Sequence, residues 1–282
     1  MLSSLNDSIL YHYTDFLALD SILRCAELRL NNILNMNDAS EMRLFMNGLC
    51  RAVCDRLEVQ GRGKDALEVR LLFEQELKKE FAYSAYAACF SLWRDDAAQW
   101  ERYGHHGRGV CIAFYRDVLE KLTGGVLSLQ TVFYQEDMSG HELVEVFLRL
   151  CDERRGPLSA SDPDVQTALN EAWVCSAAFK HPSFSCENEV RLVVSPFDRE
   201  YFSEQPRYHI SPERIKKYYP LNLRRMCSRN GLRTEELISE IIVGPESGQS
   251  LPIFQDYLRD RGLCDLADRV SLSDCPLRHG AP

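Results

Sequence analysis

The chain of 282 residues has no run of about 18 consecutive apolar residues, so no membrane-crossing helix is expected. Its beginning, MLSSLNDSILYHYT, has no basic region followed by a long apolar stretch, and it does not read as a secretory signal. The chain has 11 cysteines, but no Cys-x-x-Cys pair and no Cys/His cluster at zinc spacing. The closest approach, Cys50 with Cys54, is one turn of a helix on an apolar face. An odd number of scattered thiols points to reduced, buried structural cysteines and a cytoplasmic location, not to a disulfide framework. There is no internal repeat and no low-complexity stretch. The turn GPESG matches no phosphate-loop spacing, although a glycine-bearing strand-to-helix turn suits an anion at a helix N-terminus.

What is present is ordinary globular composition, 45% apolar and 27% charged, in a chain long enough to bury a large core. A net charge of −9 argues against wholesale non-specific nucleic-acid binding. One segment departs from that balance. Residues 214–233, RIKKYYPLNLRRMCSRNGLR, hold seven Lys/Arg and no acid, which leaves −16 on the rest of the chain. There Lys216, Lys217, Arg224 and Arg225 surround Tyr218 and Tyr219. That mixture is a candidate phosphate or nucleic-acid patch, or else a solvated face that balances an acidic neighbour.

Periodicity predicts an α+β fold with a mixed sheet, since helices and strands alternate without a regular βαβ rhythm. ILYHYT alternates as a strand, with Ile9, Tyr11 and Tyr13 on one face and Leu10, His12 and Thr14 on the other. Asp38 with Glu41 has the form of a capping box. Met42, Phe45, Met46, Leu49, Val53 and Leu57 follow at helical spacing. SAYAACFSLW, VCIAF, VLSLQTVFYQ, NEVRLVV and ISEIIVG read as strands, and 140–155 and 164–181 as helices. The chain is expected to be a single domain over 1–282. A soft composition shift falls near 196–212, ahead of a C-terminal strand-helix-strand piece over 213–282.

Three places carry chemistry. The first is His12, a histidine on a strand. The second is CFSLWRDDAAQWERYGHHGRGVCIAF, which sets Ser91, Trp100 and Tyr103 between two strands; aromatics beside a turn can form a stacking floor for a planar ring. Its His105–His106 pair lacks a local carboxylate partner, and no metal is expected. The third is SCENEVRLVV. There Glu187, Glu189 and Arg191 share one face of a strand, opposite Asn188, Val190, Leu192 and Val194. Two carboxylates side by side repel unless a cation compensates, and Arg191 is the candidate. The alternative is an edge strand with a charged solvent face.

The ordered set YHYT, LNNILNMNDASE, ACFSLW…QWERYG…GVCIAF, K…CENEVRL and ISEIIVG resembles a bacterial family, domain-of-unknown-function family twenty-nine seventy-one. That family is in turn similar to the ADP-ribosyltransferases. The resemblance implies a split-sheet fold with a cleft for NAD as substrate. It casts His12 in the first-strand role, Tyr103 or Ser91 in the second, and Glu189 as the catalytic carboxylate, with Glu187 completing an E-x-E pair. His12, Tyr13, Thr14, Ser91, Trp100, Tyr103 and Arg191 would line the nucleotide site. Cleavage of the nicotinamide–ribose bond passes through an oxocarbenium-like state, which a fixed carboxylate stabilises without a metal. The resemblance further implies a toxin, effector or phage-defence role. A protein or nucleic-acid acceptor, or water, would take the ADP-ribose, and an antitoxin or immunity protein is the partner to look for. The alternative from another class is a non-catalytic nucleotide or nucleic-acid binding module of the same fold.

Overall fold

The computed structural model describes residues 8–38, 40–124, 127–154, 156–195, 197, 205–212 and 214–277. Of the soft boundary near 196–212, residues 196 and 198–204 lie outside that set, as do Gly125 and the end of the tail, 278–282.

The first half runs β1 (Ile9–Thr14), α1 (Phe16–Cys25), β2 (Glu27–Asn32), α2 (Arg43–Val59), α3 (Gly63–Leu77), β3 (Tyr86–Ser91), α4 (Ala97–Arg102), β4 (Val110–Tyr115), α5 (Arg116–Leu122) and β5 (Leu127–Thr131). Then come β6 (Phe133–Tyr134), α6 (Glu142–Glu153), α7 (Pro163–Ser176), β7 (Phe179–Lys180), β8 (Glu189–Val194), β9 (Arg207–Ile210) and β10 (Ile215–Asn222). The chain closes with α8 (Leu223–Arg229), β11 (Ile238–Val243), α9 (Leu251–Asp260), α10 (Cys264–Ala267) and β12 (Val270–Leu272).

Ten strands form one mixed sheet in the order β12-β11-β4-β1-β3-β2-β10-β9, with β8 and β5 branching from β3. Residues from 213 onward therefore supply β12 and β11 at one end of that sheet and β10, beside the end strand β9, at the other. One face carries the core around Leu10, Leu30, Phe90, Phe114, Val190 and Leu258; the other packs α2, α3, α6 and α7 around Phe45, Phe73, Phe147 and Trp173. The helical spacing read from Phe45 to Leu57 is the buried stripe of α2.

The sheet forks at β3, and the fork makes the cleft. Along one edge β3 pairs with β8 over its whole length, from Tyr86 to Ser91. Along the other edge it meets β1 only at Tyr11↔Ser91 and β2 only at Asn31↔Ala87 and Asn32↔Tyr86. Ala88, Cys89 and Phe90 have no ladder partner on that side. A cleft of about 510 Å³ opens at this gap.

Several local expectations are corrected. The helix read over 164–181 ends at Ser176, so Lys180 sits on β7. VLSLQTVFYQ is two strands in different sheets, broken at Val132. Asp38 and Glu41 do not form a capping box: α2 starts at Arg43 behind Met42, which has φ 65°, and Glu41 is buried elsewhere. The cysteines are all free, but only Cys54, Cys111, Cys151 and Cys227 are buried; Cys25, Cys186 and Cys264 are exposed.

Candidate functional site

His12 leaves β1 to cap the gap. Its Nδ1 lies 2.8 Å from the carbonyl oxygen of Cys89, one of the residues that the fork leaves without a ladder partner. A carbonyl oxygen only accepts, so Nδ1 carries the proton and Nε2 keeps the ring's free lone pair. Burial lowers the His12 pKa and the bond to Cys89 opposes that shift, so the ring is neutral near pH 7. Phe90 packs against it at 5.7 Å between ring centroids. His12 and Thr14 both line the cleft.

On the other side of β3 lies a buried cluster of charges. β8 is buried along its whole length, so it is not an edge strand with a solvent face. Arg191, fully buried, donates from Nε to Glu189 Oε1 at 2.9 Å and from Nη2 to Glu189 Oε2 at 3.0 Å and Glu41 Oε1 at 2.6 Å. Its Nη1 donates to the Ala177 carbonyl at 2.8 Å. Lys180 donates to Glu187 Oε2 at 2.6 Å and Glu189 Oε2 at 3.2 Å. Burial pushes the Glu189 carboxyl up, but the Arg191 and Lys180 cations outweigh it and hold the pKa at about 2. Burial dominates at Glu41, whose pKa is raised despite the same two cations, and its Oε2 has no hydrogen-bond partner.

Glu187 is not on the strand. It ends a 3-10 turn, Pro182–Glu187, and Asn188 follows in the left-handed region at φ 42°. That kink sends the Glu187 carboxylate toward the mouth of the cleft. Its Oε1 accepts from Tyr103 Oη at 2.7 Å, Asn37 Nδ2 at 3.1 Å and Arg102 Nη1 at 3.2 Å. Ser91 Oγ and Gln99 Nε2 hold its backbone carbonyl at 2.9 and 3.2 Å.

The cleft thus brings together His12, Thr14, Ser91, Tyr103, Glu187, Glu189 and Lys216. Others are placed differently. Trp100 is fully buried, packed edge-on against Tyr13 at 4.9 Å, and does not line the cleft; it pins α4 to the sheet. Tyr13 touches the cleft, but its hydroxyl donates to the Trp93 carbonyl at 2.9 Å. Ser91 is occupied with the Glu187 carbonyl, so its role is to hold the 187 turn. Arg191 holds Glu189 from behind and does not line the cleft. Lys217, Arg224 and Arg225 lie off the cleft, the last two on α8. The residues that sequence reasoning missed are Asn37, Glu41, Arg102 and Lys180. Lys180 was present in the K…CENEVRL string, and Glu41 was read as a helix cap.

Among the described residues no group of three or more His, Cys, Asp or Glu is arranged to hold a metal ion. His105 and His106 both lie on a turn at positive φ, and His106 meets Glu101 at 2.9 Å. Among the same residues no helix is long and apolar enough to cross a membrane.

No curated protein and no solved structure matches the chain. Residues 99–192, which run from α4 through the Glu187–Arg191 cluster, match the model of the family described as "Protein of unknown function (DUF2971)".

Proposed function

We propose that the cleft binds NAD and cleaves its nicotinamide–ribose bond, transferring ADP-ribose to an acceptor or to water. The observation that carries this reading is the convergence, across one forked strand, of a neutral histidine with a free acceptor nitrogen and a carboxylate at the cleft mouth. The cleft volume falls in the usual range for small-molecule sites, roughly 300–1,000 Å³. His12 Nε2 would accept from a ribose hydroxyl. Glu187 would face the cationic sugar, and Tyr103, partly exposed beside it, would border the nicotinamide ring. The electron pair of the C1′–N bond leaves with nicotinamide and quenches its pyridinium charge. The acceptor's nucleophile then adds at C1′ and gives up one proton, which Glu187 can take. The unpaired thiols suit a cytoplasmic setting.

Glu187 is favoured over Glu189 as the reacting carboxylate. Arg191 and Lys180 take both oxygens of Glu189, whereas Lys180 takes only Oε2 of Glu187 and its Oε1 accepts from Tyr103, Asn37 and Arg102, of which Tyr103 and Arg102 are partly exposed. The test is nicotinamide release from NAD. Glu187→Gln should lower it by about 10²–10³-fold with the circular dichroism spectrum retained. Equal release by wild type and variant sinks the assignment.

A second reading, nucleotide binding without turnover, is favoured by one fact: every oxygen of Glu187 and Glu189 already accepts a hydrogen bond. Binding of NAD with no nicotinamide released by the wild type would select it.

A further inference from the structure

The wall of the cleft formed by β2, β9 and β10 is basic, and it lies across β3 from the carboxylates. The registers Lys216↔His209, Tyr218↔Asn31 and Pro220↔Arg29 put Arg29, Asn31, His209, Lys216 and Tyr218 on one face of the sheet. The alternate residues Leu28, Leu30, Tyr219 and Leu221 go into the core. Arg29, His209, Arg214 and Lys216 all line the cleft. The Arg29 guanidinium lies 5.1 Å over the Tyr218 ring, which fixes its plane, and its Nη1 is 3.4 Å from His209 Nδ1.

These basic groups make few pairings with acids. Among the described residues, none of the ion pairs involves Arg29, Arg214 or Lys216. Glu27, the acid in the same wall, is taken by Arg207 at 2.9 Å. Partial burial and the neighbouring Arg214 both lower the Lys216 pKa, as expected for an ammonium that lacks a counter-ion. In a chain of net charge −9, an unneutralised basic corner inside a concavity is a place prepared for an anion.

We propose that Arg29, His209, Arg214 and Lys216 bind the phosphates of a small nucleotide, so that the ligand class is a nucleoside diphosphate or its derivative. This deepens the preceding proposal by naming what the far end of its substrate must carry. An extended nucleic-acid strand fits less well. Lys217 points to the opposite face of β10, and Arg224 and Arg225 lie on α8, so the basic residues form a corner and not a continuous track.

The test is calorimetric titration of the full chain with ADP, pyrophosphate and adenosine. ADP is expected to bind about tenfold or more tightly than adenosine, and added salt should erode that advantage. The double variant Arg29→Gln/Lys216→Gln should lose it, with an unchanged thermal midpoint. Should the double variant fail to fold, the exposed Arg214→Gln alone is expected to weaken ADP binding several-fold. Four results overturn the proposal: no ADP binding, equal binding of ADP and adenosine, undiminished ADP binding by the variants, or an oligonucleotide that outcompetes ADP. ADP has no nicotinamide to lose. An intact preference for ADP without nicotinamide release therefore removes only the catalytic reading. NAD turnover with an unchanged KM in the double variant removes only this one.

Discussion

At the scale of single residues, the site is governed by how far each charge is already spoken for. Glu41, Glu187 and Glu189 share Lys180 and Arg191 in an environment nearly closed to water. Removing one partner of such a cluster leaves another buried charge unmatched. Arg191→Met and Glu189→Ala are each expected to cost about 3–5 kcal/mol, read as a lowered urea midpoint. The effect of pH has a definite sign. The Glu189 pKa is held at about 2 when folded, against an ordinary 4.5, so its contribution is complete above 4.5 and is lost as pH falls toward 2. Wild-type stability should drop between pH 5 and pH 3, and Glu189→Gln should show a shallower drop. An identical slope in the two proteins would contradict the assignment. These roles were only partly visible beforehand. Glu187, Glu189 and Arg191 could be grouped by alternation alone, but Glu41 and Lys180 join them from 146 and 7 residues before Glu187. No local pattern encodes such a meeting.

At the scale of elements, the start of β4 is packed against β1 and β11 by close approaches that side chains would block. A methyl group on Gly109 would meet the Thr14 carbonyl oxygen at 2.1 Å and the Gly104 oxygen at 2.9 Å, where β4 starts beside the end of β1. One on Gly244 would meet the Gly107 oxygen at 2.3 Å. Gly109→Ala is expected to destabilise by about 2–3 kcal/mol, since backbone must move. Gly140→Ala, with nothing within 4 Å, should be near neutral in the same urea titration. Strands and helices themselves were legible from periodicity: β1, β3, β4, β8 and β11 were all expected, and the apolar stripe of α2 was read residue by residue. What periodicity could not show was where alternation stops. Glu187 reads as one more strand position, yet Asn188 turns left-handed and moves its carboxylate out of the β8 ladder. The basic stretch at 214–233 reads as a phosphate or nucleic-acid patch or a solvated face, whereas eight of its residues form β10, whose alternate residues Tyr219 and Leu221 are core.

At the scale of the whole molecule, the C-terminal third does not stand apart from the sheet. β10 and β9 extend it beyond β2, while β11 covers β4, whose first five residues are buried. A chain cut before Ile238 would strip β11 and β12 and leave β4 as a long apolar edge. It is expected to accumulate as insoluble protein; a soluble, monomeric product by size-exclusion chromatography would show that β4 needs no cover. The order of elements along the chain supports α+β, but the pairing of distant strands, such as β2 with β10, is not encoded in any local pattern.

The hydrogen bond between His12 and Cys89 has one more consequence. Because Nδ1 must donate inward, Nε2 can only accept, so the floor of the cleft demands a hydroxyl or amide hydrogen from whatever lies on it. The guanidinium of Arg29 and the ammonium of Lys216 can only donate, so that wall demands bare oxygen. The cleft therefore has a polarity of hydrogen-bond sense, independent of its charge. A molecule with hydroxyls at one end and oxyanions at the other fits it in a single orientation.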